Sequence, residues 1–68
     1  MTRIEKVARF AAFMGCTPEQ VKAQYAKNAK SLRWMADRAR ASANGMYRGG
    51  TAEHWANSAA EFEACASS

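Results

Sequence analysis

Apolar residues in the middle of the chain recur every three or four positions, as they do along one side of a long helix. Thr17 is a predicted N-cap, with Pro18 at the first helical position and Gln20 completing a capping box. No Gly or Pro interrupts the following stretch until Gly45, which supplies a left-handed stop. We therefore predict a central helix over about residues 18–43. Its apolar stripe comprises Val21, Tyr25, Asn28, Leu32, Met35, Ala36, Ala39 and Ala43.

Two shorter amphipathic segments flank the central helix. Thr2 opens a capping box for a first helix over about residues 3–14, which Gly15 should end. Thr51 is the N-cap of a third helix over about residues 52–66. The short connections favour contact between neighbouring helices. The predicted core collects the larger apolar residues of the three stripes: Ile4, Val7, Phe10, Val21, Tyr25, Leu32, Met35, Trp55 and Phe62.

The sequence predicts an all-α fold, a small three-helix protein that forms one domain over residues 1–68. The composition is rich in Ala and poor in β-branched residues, and no β-hairpin signal is recognisable. The one extended loop, residues 44–50, contains three glycines around Met46, Tyr47 and Arg48. We expect this loop to cover the core. The alternative is that the loop exposes Met46, Tyr47 and Arg48 for contact with a partner.

The charge is divided between the two ends of the chain. Residues 1–50 carry ten basic and three acidic side chains, whereas residues 51–68 carry three acidic and no basic ones. The acidic third helix can pack beside the basic ones, so the net charge of +4 does not by itself require a polyanionic partner. A domain of 68 residues has a small core. Because the core is small and the chain has more Phe, Met and Trp than neighbouring helices can cover, we also expect a homodimer. Phe10 and Phe13 either pack between helices or form a surface for self-association or another partner.

Targeting and redox signals are few. The longest apolar run, Phe10 to Met14, is far below the roughly 20 residues of a membrane span, and no signal-peptide pattern begins the chain. We expect a cytoplasmic protein without membrane contact. Cys16 and Cys65 do not form a disulfide framework, and we expect both to be free thiols.

The sequence carries no catalytic, cofactor-binding or metal-binding pattern. His54 and Cys65 share a side of the third helix, but they are three turns apart, roughly 16 Å, and cannot hold one ion. Glu61 and Glu63 point to different sides of the same helix. We therefore expect a protein that is not an enzyme and needs no cofactor or metal.

The most unusual feature is an indole among cations. Trp34 lies on the side of the central helix opposite the apolar stripe. Trp and Arg are enriched at binding hot spots, so we predict a partner-binding surface here. Its residues are Trp34, Lys27, Lys30, Arg33 and Arg38, joined by Tyr47 and Arg48 of the loop. The alternative is that Trp34 packs inside the protein while the cations stay solvated.

Two classes of partner fit such a surface. We favour a larger protein with an acidic surface, for which this chain would be a non-catalytic binding module acting as an inhibitor or regulator. The alternative is a nucleic acid, held by the basic side of the central helix or by the first corner, where Ala11, Gly15 and Val21 occupy the small, turn and buried positions of a helix-turn-helix. The small, basic, Ala-rich chain also resembles accessory proteins of phages and mobile elements, although no motif supports this resemblance.

Overall fold

Three helices, one tight corner and one short hairpin make up the chain in a computed structural model that describes all 68 residues. Helices α1, α2 and α3 span Arg3–Met14, Pro18–Ala41 and Ala52–Ala66. Strands β1 (Met46–Tyr47) and β2 (Gly50–Thr51) pair antiparallel between α2 and α3. The predicted all-α, three-helix fold with a long central helix is confirmed. None of the helices combines the length and the apolar character needed to cross a membrane.

The helix starts follow the predicted capping chemistry. The Thr17 hydroxyl accepts a hydrogen bond from the Gln20 amide, and the Gln20 side chain accepts one from the Thr17 amide. Thr2 forms the same capping box at α1, and Thr51 caps α3. Each cap satisfies an amide that the first turn of a helix leaves without a partner.

The end of α2 lies two residues earlier than predicted. Ala41 is its last residue, and Ser42 already has an extended backbone. Asn44 provides the physical reason, because its side-chain oxygen accepts hydrogen bonds from the Ser42 hydroxyl and from the Met46 amide. Such local side-chain bonds compete with helix continuation. Ala43 is therefore outside the helix and exposed, and it does not extend the apolar stripe.

The loop after α2 is a β-hairpin, which the sequence analysis did not predict. Tyr47 pairs with Gly50 across a two-residue turn, in which Arg48 and Gly49 have φ angles of 50° and 78°. Positive φ at both positions is the geometry of the hairpin turn whose twist matches its strands. A Cβ at Gly50 would lie 2.6 Å from the Trp55 indole, so only Gly allows this close approach. The hairpin therefore packs over Trp55, a residue of the predicted core, and covers it as we expected of this loop.

The core consists mainly of small residues. Helices α2 and α3 pack along each other through four alanines that are almost completely buried, namely Ala29, Ala36, Ala39 and Ala59. Helix α1 packs across one end of this pair, where Val7, Ala11, Val21 and Cys65 form one buried cluster. The molecule is consequently elongated, with dimensions of 42 × 19 × 18 Å.

The predicted core is wrong at two positions. Ile4 and Phe10 are 67% and 46% exposed, because α1 contacts the other helices only through a narrow stripe. Val7 and Val21 are buried as predicted. The remaining predicted core residues, Tyr25, Leu32, Met35, Trp55 and Phe62, are half-buried. A Leu32→Ala substitution should therefore cost about 2 kcal/mol, the low end of the range for a buried leucine.

Two ion pairs join the acidic α3 to the basic helices. Arg3 of α1 donates to Glu61 over 3.1 Å, and Arg33 of α2 donates to Glu63 over 2.7 Å. Hydrogen bonding and then the charge of Arg3 hold the pKa of Glu61 below its ordinary value. The expected shielding of basic helices by α3 thus takes the form of specific pairs.

Candidate partner-binding site

Helix α2 and the hairpin border an open concavity of about 450 Å³. We call this concavity the Trp34 site. It is lined by Lys30, Ser31, Trp34, Met35, Tyr47 and Arg48. Four of these residues belong to the surface predicted from the sequence.

Two aromatic rings lie in the Trp34 site, and each has a guanidinium group over it. The Trp34 and Tyr47 rings meet edge to face, with centroids 5.6 Å apart and planes at 90°. The guanidinium of Arg38 lies over the Trp34 ring, 5.6 Å from its centroid. Arg48 lies in the same way over the Tyr47 ring, at 5.8 Å. Trp34 nevertheless remains 55% exposed, so this packing leaves most of the indole available.

The helical period aligns the residues that α2 contributes. Lys30, Trp34 and Arg38 are four residues apart and therefore lie above one another on successive turns. Tyr47 reaches the same place from the hairpin, whose position is fixed by a hydrogen bond of 2.8 Å from the Trp55 indole nitrogen to the Tyr47 carbonyl. The site thus combines a rigid helix face with an anchored turn.

Most of the predicted cations have no acidic partner within the chain. The ion pairs of the protein involve Arg3, Arg33 and Arg40. Lys27, Lys30, Arg38 and Arg48 take part in none of them. The acid nearest along α2, Asp37, pairs with Arg40 at 2.9 Å. The rim of the Trp34 site is therefore electropositive without local compensation.

Three of the predicted residues, Lys27, Arg33 and Arg38, do not line the concavity, although Arg38 lies over the Trp34 ring. Lys27 is exposed on the same side of α2, roughly 10 Å along the helix from Trp34. Arg33 forms its ion pair with Glu63, and the hydrogen bond from Arg33 lowers the pKa of that carboxyl. Lys27 can extend the positive surface, whereas the charge of Arg33 is paired with Glu63 at the surface.

Sequence reasoning missed Ser31 and Met35 as residues of the site. Met35 was assigned to the core, but it is half-buried and lines the concavity beside Trp34. The signal was present in the spacing, since residues 31, 34 and 35 lie next to one another on a helix surface. A hydroxyl and a thioether add hydrogen-bonding capacity and an adaptable apolar contact.

Other candidate chemistry lies apart from the Trp34 site. His54 contacts Trp55 in the first turn of α3, with ring centroids 4.8 Å apart. No three His, Cys, Asp or Glu side chains are close enough to hold a metal ion. Both cysteines are free thiols, Cys65 buried and Cys16 half-buried.

The first corner has part of the geometry of a helix-turn-helix. Ala11 and Val21 are buried, and Gly15 has the left-handed φ of 72°. However, α2 continues for 24 residues and packs along α3, so it is not a short helix presented for groove insertion.

Comparison of the chain with protein-family models, with curated proteins and with solved structures finds no match.

Proposed function

We propose that this chain is a small, non-catalytic helical module that binds an acidic surface of a larger protein and so inhibits or regulates that protein. The observation that carries the proposal is the Trp34 site, where an exposed indole lies in a concavity among cations that have no partner. An apolar or aromatic side chain of the partner would enter the concavity, and carboxylates around it would pair with the cations.

The charge of the site suits carboxylates. Lys30 and Arg48 line the concavity and Arg38 lies over Trp34, while the chain places no free carboxylate among them. Arginine guanidinium groups bind carboxylates through two parallel hydrogen bonds. Positive charge on one side of the molecule also accelerates encounter with a negative surface.

The aromatic residues of the site are already ordered before binding. Trp34 contacts both Tyr47 and Arg38, and the Tyr47 carbonyl is held by Trp55. Fixing these side chains in advance reduces the conformational entropy lost on association. Trp, Tyr and Arg are also the residues most enriched at energetic hot spots, so the composition of the site is typical of a protein interface.

The same contacts favour a protein over a nucleic acid. Binding of a single strand usually requires free aromatic faces on which successive bases stack. Here the two rings meet edge to face, with planes at 90°, so they do not form a row of parallel stacking surfaces. One exposed indole at a concave site is better matched to a single inserted side chain than to a row of bases.

Affinity capture from the organism that encodes the chain tests the proposal. Immobilised wild type, Trp34→Ala and Arg48→Gly are compared with Phe13→Ala, which removes an even more exposed aromatic residue from another helix. We expect a defined protein that is retained by wild type and Phe13→Ala and lost with the other two variants. That protein should then bind purified wild type directly, with an affinity that decreases as salt increases.

Two results would contradict the proposal. Equal retention of the captured proteins by wild type and Trp34→Ala would exclude the Trp34 site as the binding surface. Sub-micromolar binding to random duplex or single-stranded DNA that weakens steeply with salt, and weakens further in Lys27→Gln and Arg38→Gln, would replace the protein partner with a nucleic acid.

A further inference from the structure

A second apolar surface lies at the other end of the molecule and is independent of the Trp34 site. Helix α1 exposes Phe10, Phe13 and Met14 on one flank, and we call these three residues the α1 apolar flank. Phe13 is 84% exposed and makes no aromatic contact within the chain. A contiguous apolar patch of this kind on a small domain indicates an interaction surface.

A groove opens directly beside the α1 apolar flank. It has a volume of about 220 Å³ and is lined by Phe10, Val21, Gln24, Tyr25, Asn28 and Phe62. The Tyr25 ring meets Phe62 edge to face at 5.1 Å and contacts Phe10 at 6.5 Å. Since an apolar cavity of about 150 Å³ can hold a benzene molecule, this groove is large enough for one phenyl ring.

The rim of the groove is polar but uncharged. Gln24 Nε2 donates a hydrogen bond of 3.0 Å to Asn28 Oδ1, which holds the two amides of the rim against each other. Filling the groove would therefore not remove a charged group from water, which is the largest cost of closing an interface. An apolar side chain is the occupant that this chemistry favours.

We infer that the occupant is Phe13 of a second copy of this chain. Phe13 lies one helical turn from Phe10, on the same side of α1, so each copy carries a projecting phenyl ring next to an unfilled aromatic groove. A two-fold axis beside α1 would place each Phe13 in the groove of the other copy. Such reciprocal contact is the pattern of an isologous dimer.

The size of the contact sets the expected strength. A stable interface removes about 800 Å² from each partner, which would be about one sixth of the 4751 Å² accessible surface of this chain. The twelve residues of α1 extend over roughly 18 Å, so the interface lies at the lower end of the usual range. We expect a weak, reversible dimer, because the interface is small and the net charge of +4 on each copy opposes association at low salt.

Sedimentation equilibrium of the full chain from about 1 to 500 µM, with reductant present, tests the inference. Wild type should be a reversible dimer whose association strengthens with salt. Phe13→Ala should weaken association about tenfold or more, and Gln24→Glu, which introduces a charge at the rim, should act in the same direction. Trp34→Ala is the matched control, an exposed aromatic residue at the other surface, and it should dimerise like wild type.

Intermolecular NOEs in a mixture of labelled and unlabelled chains identify the contact. Signals between Phe13 of one copy and Tyr25 or Phe62 of the other support the inference. A monomer at 500 µM, a dimer unchanged by Phe13→Ala, or intermolecular signals confined to Trp34 would each overturn it. Phe13 and Gln24 are exposed, so circular dichroism of both variants should match wild type, and loss of dimer then reports on the interface.

Discussion

The Trp55 indole nitrogen donates a hydrogen bond of 2.8 Å to the backbone carbonyl of Tyr47. This bond joins the first turn of α3 to the hairpin, and the Tyr47 ring in turn contacts Trp34 edge to face. Although no residue of α3 lines the Trp34 site, α3 therefore helps to determine its shape.

Replacing Trp55 with Phe should loosen the hairpin. The substitution removes the donor to a partly buried carbonyl, and we expect the free energy of unfolding to fall by about 1–3 kcal/mol. Urea unfolding measures the change, and faster amide exchange over residues 46–51 would locate it in the hairpin. Trp34→Phe removes an indole that makes no such bond, and its cost should stay below about 0.5 kcal/mol. Equal costs for the two variants would contradict the anchoring contact.

The turn position Arg48 offers a way to alter binding without altering stability. Its φ of 50° is unfavourable for a side chain with a Cβ, and Gly adopts it freely. Relief of that strain should offset the flexibility that Gly adds to the unfolded chain, so Arg48→Gly should change the free energy of unfolding by less than about 0.5 kcal/mol. Arg48→Val should cost about 1–3 kcal/mol, because a β-branched residue resists positive φ. Thermal unfolding compares them, and similar values for Gly and Val would show that the turn is not strained.

Added volume between α2 and α3 should destabilise the protein. Ala39 is completely buried against α3, so Ala39→Leu should destabilise the protein by about 1–3 kcal/mol through overpacking. Ala26→Leu makes the same change at an exposed position of the same helix and should stay within about 0.5 kcal/mol of wild type. Denaturant unfolding of both variants measures their free energies of unfolding. A tolerated Ala39→Leu would mean that the two helices are less closely packed than described.

The sequence predicted what depends on local chemistry. Thr17 and Gln20 form their capping box within four residues, and the helical period alone places Trp34 opposite the core. The hairpin escaped prediction because its strands are two residues long and its turn uses Arg48 at a position usually taken by Asn, Asp or Gly. Among the buried alanines of α2, Ala36 and Ala39 belong to the predicted apolar stripe, whereas Ala29 escaped prediction because apolar periodicity gives most weight to large residues.

In the Trp34 site too, some contacts could be predicted from the local sequence and others depend on tertiary packing. The helical period predicts that Lys30 and Trp34 lie on one side of α2. The contact of Tyr47 with Trp34 depends on the hairpin, and the engagement of Arg33 depends on Glu63, which is 30 residues away. Such contacts are fixed by the packing of α3 and not by the sequence near either partner.

Stability should decrease in acid because of Glu61 and Glu63. Their arginine partners hold both pKa values below the ordinary value of 4.5 in the folded protein. The resulting stabilisation is complete above pH 4.5 and is lost as the pH falls through the lowered pKa values, because protonation then removes the ion pairs. The melting temperature from pH 7 to pH 2 should fall less in the Glu61→Gln, Glu63→Gln double variant than in wild type.

Asp37→Asn is the control for this pH dependence. Asp37 pairs with Arg40 within α2, so its loss leaves the contacts between helices intact. The control should keep the acid sensitivity of wild type. If the double variant loses as much melting temperature in acid as wild type, other groups are responsible for the acid transition.

The two thiols should differ in reactivity. Cys65 is completely buried beside Val7, whereas Cys16 is half-buried at the corner between α1 and α2. Labelling with a thiol reagent under native conditions should modify Cys16 at least about tenfold faster, because Cys65 reacts only when α1 or α3 opens. The rates should converge in denaturant. Equal native rates would show that the end of the molecule near α1 opens readily.

Because small residues form the contact between α2 and α3, nearly all of the large side chains are left at or near the surface. The largest completely buried side chains are those of Val7 and Cys65, while Trp34 and Phe13 face solvent. Folding and recognition thus draw on different residues of the same helices. A chain built in this way can acquire, exchange or lose a partner by substitutions at Trp34 or Phe13 while its scaffold stays unchanged, and variation at these positions is where its specificity can evolve.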